Sequence, residues 1–224
     1  MIPPKRTKLF GLYLITPDLN DTILLENQVH QALSGGARLI QYRNKGKDAK
    51  LKQLQAHRLR ELCDTHQALL IINDDPALAF ECQADGVHLG QSDAHIAAAR
   101  QQLGDNAIIG VTCHDRLDLA LQAAKLGADY LSFGRFFPSD TKPSAPPADL
   151  SILTRAKATL TLPIAAIGGI TLEHIPALLA AGADLIAICA GVFSHADITQ
   201  QTQKITHICL SPDVVASEAK QSRF

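Results

Sequence analysis

Short apolar runs alternate with longer amphipathic stretches along most of this chain. Each run is about three to six residues long, is rich in aliphatic and β-branched side chains, and stops abruptly on polar or glycine residues, which is typical of buried strands. The predicted strands cover 11–16, 39–42, 69–72, 87–89, 107–111, 130–133, 164–167 and 185–188. Helical patterns fill the intervals at 23–33, 49–65, 77–82, 94–103, 117–125, 150–158, 172–180 and 198–208.

A short glycine-containing phrase recurs between a helical pattern and the apolar run that follows it. It reads GGAR at 35–38, QADG at 83–86, and GAD at 127–129 and at 182–184. Glycine at such a position suits a helix C-cap in the left-handed conformation. The phrases are spaced by about two strand–helix units, so four of them indicate four βαβα quarters.

Regular alternation of near-continuous apolar strands with helices predicts a parallel sheet. Eight units in 224 residues fit an α/β single-domain (β/α)8 TIM barrel. An open doubly wound sheet should carry a G-x-G-x-x-G turn after its first strand, and the sequence there is TPDLND. We expect one catalytic domain over 1–210 and a polar tail over 211–224.

Composition narrows the class of protein further. Hydrophobic residues make up 46% and the net charge is −1, so a globular protein without a basic field for nucleic acid is expected. No apolar stretch is long enough to span a membrane. The five cysteines show no C-x-x-C spacing, which favours a reducing, cytoplasmic location, and the nine histidines show no metal-ligand spacing. The sequence leaves a homo-oligomer open.

Charged residues follow several predicted strands, and the carboxyl ends of barrel strands share one face. Arg43 and Lys45 follow the second strand, Asp74 the third, Asp93 the fourth, and Lys142 lies after the sixth. Two carboxylates can hold Mg²⁺ and three cations suit a diphosphate, so the set predicts a diphosphate–magnesium site. The alternative for either aspartate is that it caps the following helix, and for either lysine that it is solvated surface.

A second phosphate site is predicted after the seventh and eighth strands, where barrels often present backbone N–H groups. Gly168 and Gly169 follow the seventh strand and the sequence CAG follows the eighth. The alternative is that these glycines only turn the chain.

Further features lie near the predicted strand ends. The proline-rich loop 135–148 is long enough to be a lid. His88 reads as a hydrogen-bonded core residue, and His114, just past the fifth strand, could reach the pocket. Neither Cys113 nor Cys189 has an evident activating partner.

Taken together, these motifs resemble those of thiamine phosphate synthase. The matching stretches, in order, are GLYLIT, QYRNK, LIINDD, ADGVHLGQSD, IIGVTCH, GADYLSFGRFFPSDTK, AIGGIT and GADLIAI. They extend from about residue 11 to 194. The resemblance implies a transferase that joins 4-amino-2-methyl-5-hydroxymethylpyrimidine diphosphate to a thiazole phosphate, with Mg²⁺ as cofactor, and releases pyrophosphate. These small-molecule substrates are the expected partners.

The resemblance also implies roles for individual residues. It assigns the pyrimidine diphosphate to Gln41, Arg43, Lys45, Asn73, Thr112 and Lys142, and Mg²⁺ to Asp74 and Asp93. It assigns the thiazole phosphate to Ser139, Thr141, Gly169, Cys189 and Ala190, and the neighbouring Tyr42, Asn44 and Asp140 complete the expected substrate contacts. The catalytic set within these is Arg43, Lys45, Thr112 and Lys142.

The chain departs from the family pattern at a few positions. Thr112 and Ser139 exchange one hydroxyl residue for another, Asn44 replaces an acid, and Arg135 replaces proline. Cys189 and Ala190 stand where an apolar residue and serine are usual, which removes one hydroxyl from the thiazole-phosphate site.

Two other functions use related chemistry. A thiazole tautomerase would need no diphosphate–magnesium cluster, and a non-catalytic sensor of a phosphorylated metabolite would be expected to lose the carboxylates. The retained charged residues argue against both.

Overall fold

Eight parallel strands close into a barrel. The structure is a computed structural model that describes residues 9–90, 95–138 and 147–211. The strands are β1 (Gly11–Ile15), β2 (Leu39–Tyr42), β3 (Leu69–Asn73), β4 (Gly86–Leu89), β5 (Ile108–His114), β6 (Tyr130–Phe133), β7 (Ile164–Ile167) and β8 (Leu185–Ile188). Each strand pairs with the next and β8 returns to β1, which confirms the predicted single-domain (β/α)8 TIM barrel.

Helices surround the barrel in the predicted alternation. They are α1 (Thr22–Ser34), α2 (Ala49–Thr65), α3 (Pro76–Glu81), α4 (Ile96–Leu103), α5 (Leu117–Lys125), α6 (Ser151–Thr159), α7 (Ile175–Ala180), α8 (Ala190–Phe193) and α9 (Ile198–Leu210), with a 3₁₀ turn at Leu172–His174. The short α8 after β8 was not predicted. Four helices begin behind an aspartate whose carboxylate accepts a first-turn N–H, namely Asp21, Asp48, Asp75 and Asp197.

Side-chain alternation along the strands separates two apolar layers. In β2, Leu39 and Gln41 point into the barrel, whereas Ile40 and Tyr42 face the helices. The larger layer lies between sheet and helices. The buried apolar residues of the smaller, interior layer are Leu9, Tyr13, Ile15, Leu39, Leu69, Ile71, Ile108, Tyr130, Ala165, Leu185 and Ala187.

The recurring phrase marks a recurring structural contact at the amino-terminal end of the barrel. In three quarters, the aspartate before an even-numbered strand accepts a backbone N–H from the preceding strand and pairs with a cation from a helix. The sets are Asp85 with Leu70 and Arg60, Asp129 with Ile109 and Arg100, and Asp184 with Ile164 and Lys157. In the first quarter Arg38 stands there instead and donates to the carbonyls of Leu33 and Ala37.

The predicted left-handed glycine is found in three of the four phrases, at Gly36, Gly127 and Gly182. In the second phrase the prediction is wrong. Gln83 takes the left-handed conformation with φ of 54°, and Gly86 is instead the first residue of β4. A Cβ on Gly86 would lie 1.9 Å from the carbonyl oxygen of Ile108, so this glycine is needed for the close approach of β5.

The fifth strand is longer than predicted. It was expected to end at residue 111, but it continues to His114, with a register shift against β6 between Thr112 and His114. His114 therefore ends the strand rather than following it, in a left-handed conformation with φ of 53°. Polar residues at positions 112 and 114 made the end of this strand read as a loop.

No helix among residues 9–90, 95–138 and 147–211 is long and apolar enough to cross a bilayer. The predicted tail, apart from Ser211, lies outside the described residues.

Candidate active site

The loop after β1 holds the loop after β2. Thr16 Oγ1 accepts the backbone N–H of Arg43 at 2.9 Å, and Asp18 Oδ2 accepts Arg43 Nη1 at 2.6 Å. The other oxygen of Asp18 accepts the backbone N–H of Lys45 at 3.0 Å. One carboxylate thus holds the guanidinium of Arg43 and the backbone of Lys45, the two residues that were predicted to bind phosphate at the end of β2.

The carboxylate of Asp74 lies at the end of β3, beside Lys45. Its Oδ2 accepts hydrogen bonds from Lys45 Nζ and, at 2.5 Å, from Asn73 Nδ2. Asp74 has a left-handed backbone with φ of 65°, which is uncommon for a residue with a side chain and concentrates at functional sites. Asp75, not Asp74, caps α3, so the capping alternative is wrong for Asp74.

A cavity of about 280 Å³ opens between the ends of β2 and β3. Lys45, Asn73 and Asp74 line it, together with Lys52 of α2, which the sequence did not single out. Two ammonium groups beside a carboxylate suit an anion that carries a metal ion. The structure therefore brings five predicted site residues into one pocket, because Tyr42 and Asn44 also line it.

Two other predicted substrate contacts bond to α2. The Tyr42 hydroxyl donates to Gln55 Oε1 at 2.8 Å, and Asn44 Nδ2 donates to the same oxygen at 3.0 Å. Gln55 is buried, and its Nε2 donates to the carbonyl of Leu19. Burial raises the pKa of Tyr42 to about 12. Tyr42 and Asn44 line the pocket, and their contact with substrate stays a prediction.

A chain of hydrogen bonds crosses the barrel interior and joins two predicted substrate contacts. Gln41 Nε2 donates to Tyr13 Oη at 2.5 Å, and the hydroxyls of Tyr13 and Tyr130 lie 2.7 Å apart. Tyr130 Oη lies 2.8 Å from His88 Nδ1, and His88 Nε2 lies 2.8 Å from Thr112 Oγ1. The prediction that His88 is a hydrogen-bonded core residue is confirmed.

Both phenols in this chain are fully buried. Burial raises the pKa of Tyr13 and of Tyr130 well above the ordinary value, so both hydroxyls keep their protons at neutral pH. The part of the chain that runs through Tyr13 and Tyr130 therefore consists of neutral phenols.

The loop after β7 approaches the loop after β6 closely. Gly168 and Gly169 have φ of 104° and 63°, and a Cβ on Gly169 would lie 2.1 Å from the carbonyl oxygen of Pro138. The rings of Phe137 and His174 stack with centroids 3.6 Å apart. Glycine at 169 is thus needed for this close approach, and its predicted contact with a phosphate stays a prediction.

Cys189 precedes α8 at the end of β8. Burial raises the pKa of its thiol to about 11, with Arg43 lowering it and Asp18 raising it by a smaller amount. A neutral thiol is a poor nucleophile, which agrees with the expectation that Cys189 forms no covalent intermediate. Burial likewise raises the pKa of Cys113 to about 12. The predicted contacts of Cys189 and Ala190 with a phosphate stay predictions.

Five predicted site residues lie outside the described residues. They are the second metal ligand, Asp93, and the residues of the predicted lid, Ser139, Asp140, Thr141 and Lys142. Their roles stay predictions.

The described residues fit a magnesium site in which the protein supplies only one or two carboxylate ligands. They contain no group of three or more His, Cys, Asp or Glu side chains that could enclose a metal. Mg²⁺ is usually held by one or two carboxylates, with water and substrate phosphate completing its shell. Asp74, whose side chain is 21% exposed at the pocket, supplies a hard oxygen donor of this type.

The residues of the site that sequence reasoning missed are Asp18, Lys52, Tyr13, Tyr130 and Gln55. Asp18 had a usable signal, because it is a polar residue directly after a strand. The two tyrosines stand in apolar runs, where an aromatic residue reads as core. Their hydroxyl partners come from other strands, which no local pattern reveals.

Comparison with known proteins shows the family of this chain. A family model described as thiamine monophosphate synthase matches residues 12–192. A thiamine-phosphate synthase of Thioalkalivibrio sulfidiphilus is 49% identical over 88% of this chain and 94% of its own length. One from Marinobacter nauticus is 53% identical over 82% of each chain.

Solved structures similar to this chain include TIM-barrel enzymes. Thiamine phosphate pyrophosphorylase from Pyrococcus furiosus superposes with a TM-score of 0.80 and 33% identity, covering 93% of this chain and 97% of its own. A 3-hexulose-6-phosphate synthase, at a TM-score of 0.66 and 20% identity, shares the barrel fold. The class is therefore a TIM-barrel enzyme. The chain belongs to the thiamine monophosphate synthase family, and its activity is that of a thiamine-phosphate synthase.

Proposed function

We propose that the chain joins 4-amino-2-methyl-5-hydroxymethylpyrimidine diphosphate to a thiazole phosphate by a dissociative, magnesium-assisted substitution. The observation that carries this proposal is the convergence of Lys45, Asn73 and Asp74 in one pocket, beside Arg43. Such a set binds an anion and a divalent cation together. Membership of the family supports the choice of substrates.

The substitution needs no protein nucleophile. The bond between the pyrimidine methylene carbon and the diphosphate oxygen breaks, and both electrons leave with pyrophosphate. The electron-rich aminopyrimidine stabilises the cationic methylene, and the lone pair of the thiazole nitrogen then forms the new C–N bond. The raised pKa of the Cys189 thiol supports a mechanism without covalent catalysis.

The residues of the first pocket bind and orient the leaving group. Arg43 and Lys45, with Lys142, contact the diphosphate oxygens and stabilise the charge that develops on them. Asp18 keeps Arg43 and the Lys45 backbone in place, so little rearrangement is needed on binding. Gln41, Asn73 and Thr112 complete the contacts. Asp74 and Asp93 would hold Mg²⁺, which when bound neutralises charge on the diphosphate.

The second substrate occupies the opposite part of the strand-end face. Gly169, Cys189 and Ala190, with Ser139 and Thr141, bind the thiazole phosphate. The predicted lid, of which residues 139–146 lie outside the described residues, is proposed to exclude water that would trap the cationic methylene. The stacking of Phe137 on His174 holds the described start of this segment beside Gly169. Cytoplasmic location and assembly into a homo-oligomer stay predictions.

A coupling assay tests the proposal. Purified full-length protein, both precursors and Mg²⁺ are mixed, and thiamine phosphate is followed as its oxidised fluorescent product, with and without EDTA. We expect product that EDTA abolishes. Folded protein that binds the thiazole phosphate but forms no product would overturn the proposal in favour of a tautomerase or a sensor.

Two aspartate variants test the metal assignment separately. Asp74→Asn and Asp93→Ala should each lower turnover by about a hundredfold or more, and should weaken Mg²⁺ binding in calorimetry, because each removes a charged oxygen ligand. Thiazole-phosphate binding should stay intact. Asp118→Asn on α5, where Asp118 pairs with Arg116 on the surface, is the matched control. Wild-type turnover in either pocket variant would contradict the metal site.

A further inference from the structure

Backbone contacts join the start of the loop after β6 to the loop after β7. The Phe137 N–H donates to the carbonyl of Gly168 at 3.0 Å, and the Phe136 N–H donates to that of Ile167 at 3.2 Å. These bonds continue the β6–β7 pairing beyond the ends of the strands. A Cβ on Gly169 would lie only 2.7 Å from the carbonyl oxygen of Phe137. The two loops are therefore packed backbone against backbone.

The side chain of His174 reaches across this contact. His174 lies in the 3₁₀ turn that follows the loop after β7, and its ring stacks on that of Phe137, with centroids 3.6 Å apart and planes 9° apart. His174 Nδ1 also accepts the backbone N–H of Thr171 at 3.2 Å and lies 3.0 Å from Thr171 Oγ1. The imidazole thus links the start of the predicted lid to the chain two residues beyond Gly169.

We propose that His174 is a positioning residue for the thiazole phosphate, and that it holds the Gly169 backbone and the start of the predicted lid together as one unit. The inference rests on the proposed function, because it takes Gly169 to bind this phosphate. It adds a residue to which neither the sequence pattern nor the resemblance assigned a role. His174 acts on the substrate through its neighbours.

The location of the phosphate ligands explains why such a link matters. The proposed site takes Gly169 from one loop, and Ser139 and Thr141, which lie outside the described residues, from the other. Fixing a loop costs conformational entropy, and contacts that fix it before the substrate arrives reduce the cost of binding. The stack acts on the lid side and the hydrogen bond acts on the glycine side. The His174 side chain joins the two loops only when it makes both contacts.

Three substitutions at one position separate the two contacts. His174→Phe keeps a ring for the stack and removes the acceptor, His174→Asn keeps an acceptor and removes the ring, and His174→Ala removes both. In calorimetry of the full chain, His174→Ala should bind the thiazole phosphate about tenfold more weakly, and the other two variants should lie between it and the wild type. His207→Ala, at an exposed histidine on α9, is the matched control and should bind like the wild type.

Steady-state kinetics of the coupling reaction distinguishes positioning from a general effect on structure. The KM for the thiazole phosphate should rise in the order of the affinities. The KM for the pyrimidine diphosphate, and the affinity for inorganic pyrophosphate with Mg²⁺, should stay constant, because Lys45 and Asp74 lie at the other side of the strand-end face. Wild-type affinity for the thiazole phosphate in His174→Ala, or an equal loss for both substrates, would overturn the proposal.

A second variant keeps the test decisive if His174→Ala fails to fold. Phe137→Leu removes the stack from the other partner and should weaken thiazole-phosphate binding as His174→Asn does; unchanged affinity in this variant would overturn the proposal. A wild type that binds the thiazole phosphate but forms no product would instead overturn the proposed function, and the affinities of the variants would still decide the role of His174.

Discussion

The ring of Tyr130 fills the space in which Gly110 has no side chain. A Cβ on Gly110 would lie 2.0 Å from Cζ and 2.3 Å from the hydroxyl oxygen of Tyr130. The two residues face each other across the β5–β6 pair, where Gly110 is in register with Tyr130. The glycine therefore determines where an aromatic hydroxyl sits in the barrel interior, and the aromatic hydroxyl determines what His88 contacts.

Gly110→Ala should displace the Tyr130 ring and break its contact with His88. We expect a loss of about 1–3 kcal/mol in the free energy of unfolding, because an added methyl in a packed interior forces neighbours to move. Activity should fall with it. Urea denaturation and the coupling assay measure the two effects. Tyr130→Phe keeps the ring and removes only the hydroxyl, so it separates packing from hydrogen bonding; a fully stable and active Gly110→Ala would contradict the close contact.

Asp18→Ala should reduce activity without reducing stability. Its pair with Arg43 is partly exposed, with the Asp18 side chain 44% accessible, and such pairs contribute at most about 1 kcal/mol. However, Asp18 also positions the Lys45 backbone, and misplacing phosphate-binding groups by about 1 Å can cost about a hundredfold in rate. Measuring kcat/KM and urea denaturation on one preparation checks this. A large loss of stability, or unchanged kinetics, would show that Asp18 does not act by orienting these cations.

Much of the barrel followed from local pattern. The limits of most strands were predicted well, because each strand is buried on both faces and stops on polar or glycine residues. The end of β5 was predicted wrongly because the strand was followed only as far as its continuous apolar run, and Thr112 and His114 are polar residues within the strand. The α8 helix has four residues, too few for a helical period to show.

Within the site, the sequence identified the residues at strand ends but not their partners. Lys45 and Asp74 were predicted from position, and the structure brings them together. Gln41 was predicted as a site residue only from the resemblance to the family. Its contact with Tyr13 depends on the register of β1 and β2. The hydrogen-bond chain could not be predicted because its members come from five different strands, and closure of the barrel alone places them side by side.

The aspartates at the amino-terminal end of the barrel should differ in their contribution to stability. Asp85 and Arg60 are both largely buried, at 8% and 13% side-chain exposure. Asp85→Ala leaves the guanidinium with only the exposed carboxylate of Asp64 as an acidic partner among the described residues, and should cost about 3 kcal/mol. Asp184 makes the same backbone contact, but its partner Lys157 is 44% exposed, so Asp184→Ala should cost clearly less. Urea denaturation of both variants gives the comparison. Equal losses would show that the backbone hydrogen bond, and not burial of the cation, determines the cost.

The reactivity of Cys189 should report its environment and the absence of covalent catalysis. The thiolate is the reactive form, and burial raises the pKa of this thiol to about 11, so little thiolate exists at pH 7. Alkylation by iodoacetamide should therefore be slow at pH 7 and accelerate by about tenfold per pH unit up to that pKa. Mass spectrometry should find Cys113, whose pKa is raised to about 12, labelled more slowly still. Saturating thiazole phosphate should protect Cys189, because the proposed site covers it. Rapid labelling at pH 7 would instead indicate an activated thiolate and would require a covalent step to be considered again.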